Sequence, residues 1–186
     1  MKKWVISIVV GTILFLVFLY YYEDRKFSAY IQQNLGHHSS EMNLSVNREA
    51  PVVSNGKILI DAPVETVWTI LSTIDEWPSW QSEVTEARIL GDLEVDQAFL
   101  WKASGLSFKS TLHTVEPERR IGWTGKTTGA YAVHNWTLSR DGNQTLVVVE
   151  ESLQGFFPRI FPGYFQKNLN GGIQNNLQEL KKACEP

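Results

Sequence analysis

An imidazole and a carboxylate held side by side can pass a proton to and from a bound molecule, and His134 and Glu151 are the pair in this sequence that invites such a reading. His134 lies in a strand-like segment, 131–139, where two-residue alternation puts it on the same face as Trp136 and Leu138. That face is the apolar one, so His134 is expected to point inward with it. Glu151 closes a second such segment, 146–153. There Val147 and Val149 share its face while Val148 and Glu150 share the other, and alternation alone does not phase a strand that is apolar on both sides. Buried together, the two groups would suit the general acid/base work of a cyclisation or dehydration. The plainer alternative is a pair that does no chemistry, since burial by itself obliges polar groups to find partners.

Around this pair the sequence offers large aromatics. There are seven Trp in 186 residues, and Trp123 shares an apolar face with Ile121. Together with Trp101, Phe108 and Trp136 they suit either an aromatic pocket with a few orienting polar groups or a solid core. Other chemistries lack their signatures. There is no nucleophile–base spacing, no Gly-rich phosphate loop and no Cys/His cluster, so neither a metal nor a cofactor is expected. His37-His38 are neighbours in a small polar stretch and read as part of a solvated hinge. Cys184 is the single cysteine; it forms no internal disulfide and reads as a free thiol in a fraying tail. Net charge is -3 with no Lys/Arg cluster after residue 26, which argues against nucleic acid as a partner. Asn43, Asn135 and Asn143 head glycosylation sequons, which matter only in a eukaryotic secretory host.

The elements that must position these residues follow from turn and period signals. Strands are expected at 57–60, 84–90, 98–103, 108–115, 121–126, 131–139 and 146–153, and short connections imply antiparallel pairing. Between the first two, Asp61-Ala62-Pro63 opens a helix whose Val64, Val67, Trp68 and Leu71 form one face, with Asp61 as the candidate cap. A short helix or turn follows at 75–80. A last helix from about 162 to 183 carries Phe165, Leu169, Ile173, Leu177 and Leu180 as a stripe. Gly171-Gly172 in its middle suggests a close backbone approach, open space, or a bend. The aromatic segment 155–162 before it would dip into a bilayer, cover a pocket, or staple the loop to the core.

Residues 4–22 carry no charge, and roughly 20 residues span a hydrocarbon core of about 30 Å. Trp4 and Tyr20-Tyr21-Tyr22 sit at its ends as interfacial aromatics would. A cleaved signal peptide is the competing reading, opposed by the length of the run and by the absence of a small-residue cleavage site. The expected layout is a single-pass anchor at 1–26, a juxtamembrane linker at 27–51 and a domain at 52–186, the domain outside the cytoplasm.

The domain also resembles a known family. Ile58-Leu59-Ile60-Asp61-Ala62-Pro63-Val64-Glu65-Thr66-Val67-Trp68 is similar to the strand-to-helix opening of the START-related (SRPBCC) superfamily, in its polyketide cyclase/dehydrase branch. Ile74-Asp75-Glu76-Trp77-Pro78-Ser79-Trp80, the stretch 115–123, His134-Asn135-Trp136-Thr137-Leu138 and the closing stretch 142–151 resemble the same branch in order and spacing. The resemblance covers 52–184 and implies an α+β, helix-grip (START-like) fold: a curved antiparallel sheet around a long C-terminal helix, with a cavity between them. It makes Val147, Val149 and Glu151 the inward set. The ligand-facing residues are then expected to be Trp101, Phe108, Trp123, His134, Trp136 and Glu151, with Phe165, Leu169 and Ile173 opposite on the helix. A membrane-tethered domain that binds a lipid-like or polycyclic molecule, as carrier or sensor, is the leading expectation. A cyclase/dehydrase-type enzyme using His134 and Glu151, and an interaction domain with a filled core, are the alternatives.

Overall fold

A computed structural model describes residues 2–35 and 44–185. The His37-His38 hinge falls outside the described residues. Helix α1 (Lys2–Asn34) precedes β1 (Val52–Ile60), α2 (Val64–Ser72), a single 3-10 helix (Ile74–Ser79), then β2 (Val84–Ile89), β3 (Ala98–Ala103), β4 (Leu106–Glu116), β5 (Arg120–Thr127), β6 (Ala130–Asp141) and β7 (Gln144–Gln154). A one-turn helix α3 (Phe156–Ile160) leads into the long α4 (Pro162–Cys184). The seven strands form one antiparallel sheet in the order β1-β7-β6-β5-β4-β3-β2. Consecutive strands pair through hairpins. β1 alone returns to pair with the last strand, so α2 and the 3-10 helix cross from one sheet edge to the other.

Each element has a local cause. Pro63 fixes the entry into α2, and Val64, Val67 and Leu71 are its buried face. The cap is not Asp61, which stands two residues too early; Pro63 holds the N-cap position, with no side-chain cap bond. In the 3-10 helix Trp77 is buried and its indole N–H donates to the Leu71 carbonyl at 2.9 Å, tying the two helices together. At the β5–β6 turn, Gly129 has φ +67, a conformation costly for any residue with a side chain.

α4 runs unbroken through Gly171-Gly172. A Cβ at either position would meet nothing within 4 Å, so the pair marks open space, not close contact. The close approach lies across from it. A Cβ on Gly56 of β1 would come within 2.8 Å of both Ile173 and Leu177 of α4. Side chains of α4 also clip it to β1: Gln166 donates to the Val53 carbonyl at 2.9 Å, Lys181 to the Leu59 carbonyl at 2.7 Å, and Ser54 donates to Asn170 at 2.7 Å. The helix is thereby pinned along one edge of the sheet.

Cys184 belongs to the last turn of α4 and packs in the core, contrary to the frayed tail expected of it. Burial pushes its thiol up to about 12, so it stays protonated and unreactive.

The juxtamembrane segment continues α1 as far as Asn34 and also packs on the domain. Phe27, Leu44 and Val46 are buried with Tyr131 and Val133 on the convex face of the sheet, and Tyr30, Ile31 and Leu35 pack against them. Phe27 stacks on Tyr131 with ring centroids 5.0 Å apart. α1 contains a stretch long and apolar enough to cross a membrane, and its side chains from Trp4 to Phe18 are exposed.

Candidate ligand cavity and the His134–Glu151 pair

The sheet register lines up inward positions in rows across neighbouring strands. Trp123 of β5 stands opposite His134 of β6, and His134 opposite Glu151 of β7. One row toward the β5–β6 turn, Gly125, Ala132 and Leu153 occupy the same faces, followed by Thr127 and Ala130. Side-chain volume therefore falls sharply from one row to the next. A row of Trp, His and Glu reaches well into the interior, whereas Gly and Ala leave it empty. Because α4 is held at the β1 edge, nothing fills the gap.

The result is a cavity of about 230 Å³. Its deep end is walled by Leu71, Trp77, Trp123 and Trp136, and its rim includes Leu106, Thr127 and Ala130. Trp101 and Phe108 form one wall, stacked with centroids 4.5 Å apart, and Trp101 donates its indole N–H to Ser110 at 3.0 Å. Phe165 and Asn176 of α4 close the opposite side. Gly172 lies between these two on the same stripe of the helix.

His134 is the polar centre. Its ring lies flat on Trp123, with centroids 4.4 Å apart and planes 8° from parallel. Nδ1 is 2.5 Å from Glu151 Oε2. The side chains are 7% and 15% exposed, so the contact is shielded from water. A carboxylate only accepts, so Nδ1 donates. The other ring nitrogen is Nε2. That nitrogen has no hydrogen-bond partner, and neither does the buried indole N–H of Trp136 beside it. Both atoms are buried in the cavity wall without a partner in the fold. A guest reaches either atom only if a ring in the wall turns, while Glu151 fixes the imidazole from its Nδ1 side.

Of the nine residues expected to face a ligand, Trp101, Phe108, Trp123, His134, Trp136, Glu151 and Phe165 line the cavity. Leu169 and Ile173 do not: Ile173 is buried against β1 and Leu169 packs at the edge of the core. A core filled by side chains, the third expectation, is not what these elements build. Trp77, Gln81 and the small residues Gly125, Ala130 and Ala132 line the cavity without having been expected to face a ligand. Continuing the alternation that phased His134 would have found Ala130 and Ala132; nothing local marks Gln81. Among the described residues no group of His, Cys, Asp or Glu is arranged to hold a metal.

Comparisons with known proteins agree on the fold. The family model described as polyketide cyclase / dehydrase and lipid transport matches residues 52–185. No curated protein sequence matches. Solved structures with the same fold include a hypothetical protein from Helicobacter pylori, at 14% identity over 80% of this chain and 100% of that one, with a TM-score of 0.67. A START superfamily protein from Mycobacterium smegmatis aligns at 14% identity over 71% of this chain and 96% of that one, TM-score 0.63. An aromatase/cyclase from Streptomyces sp. R1128 aligns at 14% identity over 70% and 92%, TM-score 0.62.

Proposed function

Because this chain belongs to the polyketide cyclase / dehydrase and lipid transport family, we propose that residues 52–186 form a binding domain for a hydrophobic small molecule, anchored to a membrane by residues 1–26 through the segment 27–51. The observation that carries this reading is the 230 Å³ hollow lined by Trp77, Trp101, Phe108, Trp123 and Trp136, with the His134–Glu151 pair in its wall. An apolar cavity of about 150 Å³ holds one benzene, so this one accommodates roughly two fused rings or a short length of alkyl chain. The polar end of the guest is a hydroxyl or carbonyl, set toward the His134–Glu151 side of the lining. Any longer guest extends past Thr127 and Ala130. Binding energy comes mostly from apolar area removed from water, at about 25 cal/mol per Å². Tethering keeps the cavity beside a pool of membrane-partitioned ligand, which suits a carrier or a sensor.

The test is chemical. An organic extract of the purified full chain should contain a hydrophobic compound, detected by mass spectrometry. Ala132→Phe, which places a ring inside the cavity, should yield a folded protein whose extract lacks it. Identical extracts from the two proteins would refute the pocket.

The contact at 2.5 Å between His134 and Glu151 supports a second reading, that the domain catalyses a cyclisation or dehydration by proton transfer at Nε2. Glu151→Gln and His134→Gln separate the two. A binder retains its ligand with at most a few-fold loss of affinity, whereas a catalyst loses turnover by roughly 10²–10⁴.

A further inference from the structure

α1 changes character at one level. Its side chains are exposed from Trp4 to Phe18, and from Tyr20 onward they begin to touch the domain: Glu23 and Phe27 are buried, Asp24 half-buried. The uncharged run ends at Tyr22. The level at which this helix would leave hydrocarbon is therefore the level at which it first meets the domain. What it meets there is α3 and the β5–β6 turn. Tyr20 packs on Phe156 with ring centroids 6.2 Å apart, and a Cβ on Gly129 would lie 3.5 Å from the Tyr20 ring. Arg159 of α3 pairs with Glu23 at 3.1 Å, and Lys126 of β5 with Asp24 at 3.0 Å. The Phe157 N–H donates to the Gly129 carbonyl at 3.1 Å, joining α3 to the turn.

Next to these contacts lies an unpartnered apolar surface. Phe157, Ile160, Phe161 and Tyr164 are 37%, 41%, 55% and 67% exposed. The same turn supplies Thr127 and Ala130 to the cavity rim, and Tyr164 packs against Phe165 of the cavity wall. The apolar surface, the rim and the end of the uncharged run are thus at one height.

We propose that α3 and the first turn of α4 seat in the interfacial layer of the membrane that α1 enters, so that the cavity opens toward lipid and takes its guest from the bilayer. The occupant is lipid because the surface is continuous with the tyrosine-marked end of α1; its exposed residues are aromatic and aliphatic with Arg159 at the edge, as interfacial segments require. The proposal rests on the anchor and pocket readings above.

The test uses the full chain in lipid nanodiscs of mixed neutral and anionic phospholipid, in a Cys184→Ser background. Single cysteines are introduced by Phe161→Cys, Tyr164→Cys and Thr128→Cys, with Asn143→Cys in the turn at the opposite end of the sheet as control. Each is labelled with an environment-sensitive fluorophore. The first three should emit to the blue and be quenched severalfold more by nitroxides near the lipid headgroup than by aqueous iodide; the label at 143 should show the reverse. Labels at 161 and 164 that report water would overturn the proposal. So would shielding that disappears with one copy per disc, because a second chain would then be the cover. Adding Ala132→Phe should leave the depth signal unchanged. A depth signal in the chain that retains Ala132, together with an empty extract from that same chain, would sink the pocket and spare the docking.

Discussion

His113 makes the most direct residue-scale prediction. It lies at the irregularity between Leu112 and Thr114 in β4 and is 2% exposed, with Nδ1 2.9 Å from the Thr114 hydroxyl and Nε2 unpartnered. Burial pulls its ring down to about 3 from an ordinary 6.5, offset in part by a backbone hydrogen bond and reinforced by His134. The folded protein therefore declines a proton that the unfolded chain accepts between those values. Stability is full above pH 6.5 and falls with acid down to about 3, a loss of roughly 4–5 kcal/mol at the limit. Urea titrations between pH 7.5 and 4 should show this slope, and His113→Phe should flatten it. Glu151 gives the second. Replacing it by Leu leaves a shielded imidazole N–H unpaired and should cost about 1–3 kcal/mol. Adding His134→Leu should recover part of that loss, which a double-mutant cycle measures as coupling.

Among elements, α4 shows how one helix can be tight on one side and loose on the other. Gly56 permits contact with Ile173 and Leu177, so Gly56→Val should overpack the seam and destabilise by about 1–3 kcal/mol in denaturant unfolding. Gly171 and Gly172 have no such neighbours, and Ala at either should raise stability by about 0.5–1 kcal/mol. The opposite signs of these two results would locate the packed and unpacked faces without coordinates. The helix itself was legible from its apolar stripe, as were six of the seven strands to within two or three residues; β1 extends five residues further toward its N-terminus than its apolar core suggested. The partner of Gly56 was not legible, because a glycine in a strand carries no sign of which helix residue will fill its place.

For the whole molecule, the surprise lies on the convex face. A fragment starting at residue 52 keeps the family domain but strips Phe27, Leu44 and Val46 from Tyr131 and Val133. Burying a Val, Leu or Phe side chain is worth about 1.5–3 kcal/mol, so a fragment 52–186 should unfold several degrees below a fragment 24–186 in a thermal melt. Equal melting temperatures would mean that this layer contributes nothing to stability. The same layer explains why the sequence reads as anchor, linker and domain while the fold makes residues 27–35, Leu44 and Val46 a second, outer packing surface. Apolar residues spaced through a polar stretch give no local sign that a sheet face elsewhere will receive them.

Alternation, turn residues and family-like spacing settled from the sequence alone that a curved antiparallel sheet would face a long helix, and that Trp123, His134 and Trp136 would look inward. The strands, the helix stripe and the inward faces depend on short-range periodicity, which backbone geometry enforces residue by residue; the curvature of the sheet around the helix came from the resemblance. Register between strands, the offset of α4 toward β1 and the drop from a Trp-His-Glu row to a Gly-Ala-Leu row were decided only in three dimensions. A hollow is a difference between volumes that distant segments bring together, and no single stretch of chain encodes it.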